Sequence, residues 1–173
     1  LLPIVRALSD TGVKVTSIIG GRSKEWVIRE NELKAMGEVV TGTDDGSYGR
    51  HGFVTQALKD ELDKGGIDAI YAIGPVPMMK AVTEMTEPYK VPTTVSLNAI
   101  MVDGTGMCGG CRVTIGGETK YACVDGPEFD GHKVNFQELA DRLTTYRSFE
   151  QAALERQKDD EARGACATTE VQA

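Results

Sequence analysis

From Leu1 to Leu97 the chain alternates between helical and strand-like stretches, and this alternation restricts its fold more than any other feature. Leu1, Ile4, Val5 and Leu8 are spaced as one apolar helix face, with Pro3 suited to a first turn and Gly12 to a stop. Val13, Val15, Ile18 and Ile19 read as a buried strand. After Gly20-Gly21-Arg22-Ser23, the spacing predicts a second helix, N-capped by Ser23, carrying Trp26, Leu33 and Met36 and stopped by Gly37. Glu38 to Thr41 is a short strand, and Thr43 to Gly49 is a polar, glycine-containing loop. Phe53, Ala57, Leu58 and Leu62 mark a third helix ending at Gly65-Gly66. A strand from Asp68 to Ile73 ends at Gly74-Pro75, a helix covers Met78 to Met85, and a last strand covers Val91 to Leu97. The pattern predicts an α/β fold with a doubly wound parallel sheet covered on both faces. A helix feeding a strand is the second half of a βαβ unit, and no first strand precedes Leu1. The expectation is a piece of a longer protein whose sheet lacks its first strand. No internal repeat is visible.

The character changes at Asn98. Asp103 to Gly110 is glycine-rich and leads into two short strands, Arg112 to Ile115 and Glu118 to Cys123. Gly116-Gly117 between them is a hairpin signal, since both residues tolerate positive φ. Asp125 to Lys133 reads as a loop. Phe136 to about Lys158 has helical spacing, including Leu139, Leu143 and Tyr146. The expected organisation is a truncated nucleotide-binding domain (1–97), a cluster subdomain (98–134), a helical segment (135–158) and a fraying polar tail (159–173).

The charge balance narrows the partners. A net charge of −7 over 173 residues argues against a phosphate-backbone partner and against an anionic membrane surface. The longest nearly apolar stretch, Ala69 to Met79, is too short for a bilayer and is broken by Gly74, Pro75 and Pro77. No charged segment followed by an apolar one opens the chain. A cytoplasmic location is the expectation. Four cysteines are too few for a disulfide scaffold.

Three of those cysteines are clustered as Cys108-x2-Cys111-x11-Cys123, and Cys166 lies alone in the tail, where it reads as an exposed thiol. The x2 loop lets two thiolates converge, and the hairpin can return the third to the same place. Zinc would want a fourth ligand, for which His132 is available across the loop. An iron–sulfur centre explains more of the pattern. Asp103-x4-Cys108-x2-Cys111 has plant-type [2Fe–2S] spacing with Asp in the first ligand position. Gly104, Gly106, Gly109 and Gly110 let the backbone wrap closely and point amides at sulfur. Iron–sulfur, zinc and unliganded cysteines all remain open on chemistry alone.

Four segments occur together and in order: Gly20 to Ser23, Thr43 to Gly49, Ala72 to Pro75 and Met101 to Cys111. With Cys123 to Phe129 they resemble the electron-transfer subunit of dihydroorotate dehydrogenase. They look closer still to its relative, the small flavoprotein subunit of NAD(P)H-dependent ferredoxin:NADP oxidoreductase, also called sulfide dehydrogenase. The resemblance covers about Leu1 to Phe149. It implies a ferredoxin-reductase-type fold: a β-barrel for FAD, a domain for NAD(P)H, then a small [2Fe–2S] hairpin subdomain and a C-terminal helix. It implies an oxidoreductase subunit that passes electrons to a larger flavoprotein or iron–sulfur partner subunit. The cluster ligands would be Asp103, Cys108, Cys111 and Cys123. Asp44, Asp45, Gly46 and Ser47 look like the nucleotide loop, which without the resemblance would read as an Asx turn. Gly74 and Pro75 occupy the place beside the nicotinamide, with Ile73 where relatives have a cysteine.

Arg22, just past the strand ending at Ile19, can accept a 2′-phosphate or serve as a solvated charge at the next helix. Met78 and Met79 read as core filler, and His51 receives no catalytic role. Two departures stand out. The FAD barrel and the first strand and glycine-rich loop of the nucleotide domain do not occur in this sequence, so it is expected to be inactive alone. Asp103 replaces a cysteine of the dihydroorotate dehydrogenase subunits, which favours the ferredoxin-oxidoreductase branch. The competing expectation is a zinc-stabilised nucleotide-binding or structural module without redox activity.

Overall fold

The structure is a computed structural model that describes residues 1–162. Helix α1 (Leu2–Asp10) buries Val5 and ends where Gly12 takes φ +79°. Strand β1 (Thr16–Gly21) follows and pairs in parallel with β2 (Glu38–Thr43), Ile18 opposite Val40. The second predicted helix does not form as one piece. A single 3₁₀ turn (Lys24–Trp26) is separated from α2 (Glu30–Lys34) by Arg29, which stands at φ 62°. A left-handed residue cannot continue a right-handed helix. Ser23 makes no cap; its hydroxyl donates to Glu25 Oε1 at 3.1 Å. Trp26 is 64% exposed, so the apolar spacing that suggested one helix face marks no buried stripe.

Beyond β2, a two-residue strand β3 (Arg50–His51) extends the first sheet, and α3 (Val54–Lys64) packs Leu58 and Leu62 inward. Strand β4 (Ile70–Ile73), α4 (Val76–Thr86) and β5 (Thr93–Ser96) follow, with β4 and β5 parallel. Strands β6 (Arg112–Ile115) and β7 (Glu118–Tyr121) form the hairpin predicted at Gly116-Gly117, whose φ angles are 60° and 85°. The segment read as a loop contains a strand, β8 (Glu128–Asp130), antiparallel to β5. Phe129 packs against the core while Glu128 and Asp130 point to solvent, an alternation of only three residues. The last helical stretch is two helices, α5 (Phe136–Leu143) and α6 (Arg147–Ala162). Between them the hydroxyls of Thr144 and Thr145 donate to the carbonyls of Asp141 and Arg142, closing off α5. Helix α6 continues into the tail predicted from Asp159; residues 163–173, with Cys166, lie outside the described residues.

The sheet expected to lack a strand is present as two separate pieces, and it is not wholly parallel. Two three-stranded sheets form, ordered β1-β2-β3 and β4-β5-β8, and the second contains an antiparallel strand. Among the described residues, no strand pairs with the outer edge of β1 or of β4. Coverage is also one-sided at β4: Ala72 is buried, while Tyr71 and Ile73 are 41% and 38% exposed.

One hydrophobic cluster joins the nucleotide-like portion to the hairpin and α5. It runs through Leu62, Met79, Val95, Val113 and Leu139. Met79 and Val95 are fully buried and Leu139 nearly so, each contributing roughly 1.5–3 kcal/mol through removal of its side chain from water. Met79 is thus core filler, as its helical position suggested. Among the described residues no helix is long and apolar enough to cross a membrane.

Candidate functional site

The cysteine segment is built on the hairpin. Cys111 directly precedes β6 and Cys123 lies two residues past β7, so pairing of the strands brings them together. Ala122 N–H donates to Cys111 O at 3.1 Å, and the two sulfurs stand 3.2 Å apart as free thiols. Cys111 is 2% exposed, whereas Cys108 is exposed on the glycine loop. The hydrogen bond with Cys111 and burial push the Cys123 thiol up from its ordinary pKa.

Asp103 is placed beside Cys108. Its Oδ1 accepts the Thr105 N–H at 2.9 Å. That amide, followed by a smaller contribution from the Cys108 thiol, holds the carboxyl below its ordinary range. Cys108 Sγ in turn accepts the Gly110 N–H at 3.4 Å. Gly106 stands at φ +81°, where a Cβ would also press on Val124 at 3.1 Å.

The predicted ligands therefore come together as two pairs, Asp103 with Cys108 and Cys111 with Cys123. Among the described residues, no three carboxylate, thiol or imidazole groups stand at metal-holding spacing. The donor set still fits an iron–sulfur cluster in its chemistry: three unlinked thiols, a carboxylate biased toward its ionised form, and backbone amides directed at sulfur. His132 is engaged elsewhere. Its Nε2 lies 3.2 Å from Val91 O, and it lines an open cleft with Glu87, Lys90 and Asp130.

At the carboxyl ends of β1 and β2 the other candidates gather. Asp44 N–H donates to Gly21 O at 3.0 Å and Asp45 N–H to Arg22 O at 3.1 Å, which ties the two loops together. Asp45 Oδ1 accepts the Ser47 N–H at 2.9 Å, the Asx turn that the sequence allowed; the Ser47 hydroxyl first, and then this amide, lower the Asp45 pKa. Ser47 Oγ accepts the Lys24 N–H at 2.9 Å, and Lys24 Nζ lies 5.4 Å from the centre of the Tyr48 ring. Arg22, Asp44, Asp45, Gly46 and Ser47 thus share one loop cluster. Gly74 and Pro75 sit at the carboxyl end of β4, in the other sheet, where Pro75 leads into α4.

One residue of this cluster was not legible in the sequence. Glu30 on α2 accepts Thr41 Oγ1 at 2.7 Å and Tyr48 Oη at 2.9 Å, and pairs with Lys34 at 3.0 Å. These bonds, Thr41 first, bring its pKa down from 4.5 to about 2. It anchors the loop through Tyr48. Among the described residues, the cleft at the amino end of β5, lined by Glu87, Lys90, Val91 and Thr93, holds His132 but none of the loop or thiol candidates.

Residues 98–135, which contain Asp103 and all three clustered cysteines, match the iron–sulfur cluster binding domain of dihydroorotate dehydrogenase B. A dihydroorotate dehydrogenase B (NAD(+)) electron transfer subunit homolog of Thermotoga maritima is 47% identical over 156 residues, covering 90% of this chain and 55% of the relative. The chain is a homologue of these electron-transfer subunits. A probable subunit of the same name from Methanocaldococcus jannaschii is 36% identical, with 79% of this chain and 52% of the relative covered. The solved structure of an NADH-dependent reduced ferredoxin-NADP oxidoreductase, reported for flavin-based electron bifurcation, superposes with a TM-score of 0.80. That chain is 44% identical, and the match covers 90% of this chain and 56% of the other. The chain therefore spans about half the length of the relatives it matches. Its ferredoxin-reductase-like, mixed α/β architecture and its iron–sulfur binding segment agree with the resemblance read from the sequence.

Proposed function

We propose that this chain forms the nucleotide-facing and cluster-bearing part of an NAD(P)H-dependent flavoprotein subunit that hands electrons to a larger partner subunit. The reading places it in the cytoplasm, with neither nucleic acid nor membrane as partner. The observation that carries it is the matched segment 98–135, in which a glycine loop and a hairpin present three free thiols and an ionisable carboxylate. When bound, FAD would take a hydride as an electron pair and a [2Fe–2S] cluster would pass electrons singly.

The chain's own residues have separate tasks. Cys108, Cys111, Cys123 and Asp103 would hold the cluster, and Gly110 N–H supplies a donor to sulfur. A carboxylate is a harder donor than a thiolate and suits ferric iron. Asp44, Asp45, Gly46 and Ser47, fixed to the end of β1, would form the wall of the dinucleotide site. Arg22 would bring a cation to its phosphate-bearing end, and Gly74 and Pro75 would border the nicotinamide at the end of β4.

The test is strictly anaerobic purification followed by iron, zinc and acid-labile sulfide analysis with electron paramagnetic resonance. Iron and sulfide in equal amounts are expected. Asp103→Ala should labilise the cluster, and Asp103→Cys should retain it with a changed reduction potential. One equivalent of zinc without iron or sulfide would overturn the cluster reading. Full iron content and an unchanged spectrum in Asp103→Ala would remove Asp103 from the ligand set.

A further inference from the structure

Two arginines close on the loop between the first two cysteines. Arg142 on α5 donates from Nη2 to the carbonyl of Gly110 at 3.0 Å, across 32 residues of sequence. Arg112 at the start of β6 donates from Nη1 to the carbonyl of Gly109 at 3.2 Å. Gly109 and Gly110 are the two residues between Cys108 and Cys111. Neither guanidinium has an ion-pair partner among the described residues. Arg142 is half-buried and Arg112 exposed, and the neighbouring Cys111 is buried.

We propose that Arg142, with a smaller contribution from Arg112, is a positioning residue that raises the reduction potential of the cluster. This rests on the iron–sulfur reading above. A one-electron reduction adds one negative charge to the cluster and moves no bond or proton; the electron comes from a low-potential donor. A fixed cation beside the cluster favours the more negative state. The rest of the segment is acidic on balance, with Asp103, Glu118, Asp125, Glu128 and Asp130 against Lys120 and Lys133, in a chain of net charge −7. Arg142 outweighs Arg112 because solvent and salt screen a half-buried charge less than an exposed one. The two bonds also fix the peptide planes of the loop, which keeps the Gly110 N–H on Cys108 Sγ.

The experiment is a dithionite titration, monitored by electron paramagnetic resonance, of the anaerobically purified full chain with its cluster. Arg142→Gln removes the charge and should lower the reduced-to-oxidised ratio about tenfold at the poise that half-reduces the parent, which is 59 mV for a one-electron couple. Arg142→Lys keeps a charge on α5 and should recover most of that shift. Arg112→Gln alters an exposed side chain, so folding is not at risk, and should shift the balance in the same direction by less. An unmoved potential in Arg142→Gln with full iron content would overturn the proposal. So would iron loss in both Arg142 variants combined with an unmoved potential in Arg112→Gln, since the clamp would then be structural alone. A parent chain devoid of iron and sulfide would overturn the cluster reading itself, and the proposal with it.

Discussion

Glu30 has three partners at once, Lys34 on its own helix, Thr41 on β2 and Tyr48 in the loop beyond it, so its ionisation is tied to the loop's order through Tyr48. Its pKa is depressed from 4.5 to about 2 in the folded chain. A depressed carboxylate contributes stability above its unfolded pKa and loses it as pH falls through the folded value. The Glu30 contribution is therefore complete above about pH 4.5 and gone near pH 2. Glu30→Gln should melt lower than the parent at pH 7, and the gap should narrow between pH 4.5 and pH 2. Thermal melts across that range check it, and parallel curves would count against the anchor. At this scale the sequence was uneven. The cysteines and Asp103 announce themselves by spacing, because metal ligands must converge. Glu30 gives no such signal, since its partners Thr41 and Tyr48 are neighbours only after β2 and α2 are packed together.

Among the elements, the polar loop after β2 depends on its glycines. Gly49 stands at φ +64°, and a Cβ there would meet the Thr41 carbonyl of β2 at 2.3 Å. Backbone oxygen cannot swing aside, so Gly49→Ala combines left-handed strain with a clash and should cost about 2–3 kcal/mol. Gly117 in the hairpin, at φ +85°, has nothing within 4 Å of a built Cβ. Gly117→Ala should cost only the conformational part, about 1 kcal/mol. Chemical denaturation of both variants measures the ordering, and an equal or reversed pair would refute the steric argument. The hairpin was legible because two adjacent glycines demand a turn of this kind. Strand β8 was not, because Glu128-Phe129-Asp130 is too short for a period and exists through its ladder to β5. The second helix failed at Arg29, whose left-handed backbone no propensity scale would have indicated.

For the whole molecule, one core spans Leu62, Val95, Val113 and Leu139, so the hairpin of the iron–sulfur binding segment is seated on the preceding α/β portion. The helix–strand alternation made the α/β class legible; the antiparallel pairing of β8 with β5 was not, because pairing partners are a long-range property. This arrangement brings a nicotinamide candidate site and a cluster candidate site into one body, yet it does not by itself join their chemistry. A hydride delivers two electrons together, and a [2Fe–2S] centre accepts one. Some group must hold the second electron in between; Gly74, Pro75 and the side chains of 43–47 have no redox chemistry, and the Tyr48 phenol is not reduced by a hydride donor. A flavin does this, taking a pair and releasing it singly. The 173-residue chain, loaded with its cluster and freed of flavin, should therefore keep its visible absorbance when NADH or NADPH is added anaerobically. Dithionite, which gives single electrons, should bleach the same sample promptly and so show that the cluster is reducible. Bleaching by NADH alone at a rate close to that of dithionite would mean that the pair can be split without flavin, and the proposed electron route would have to be abandoned.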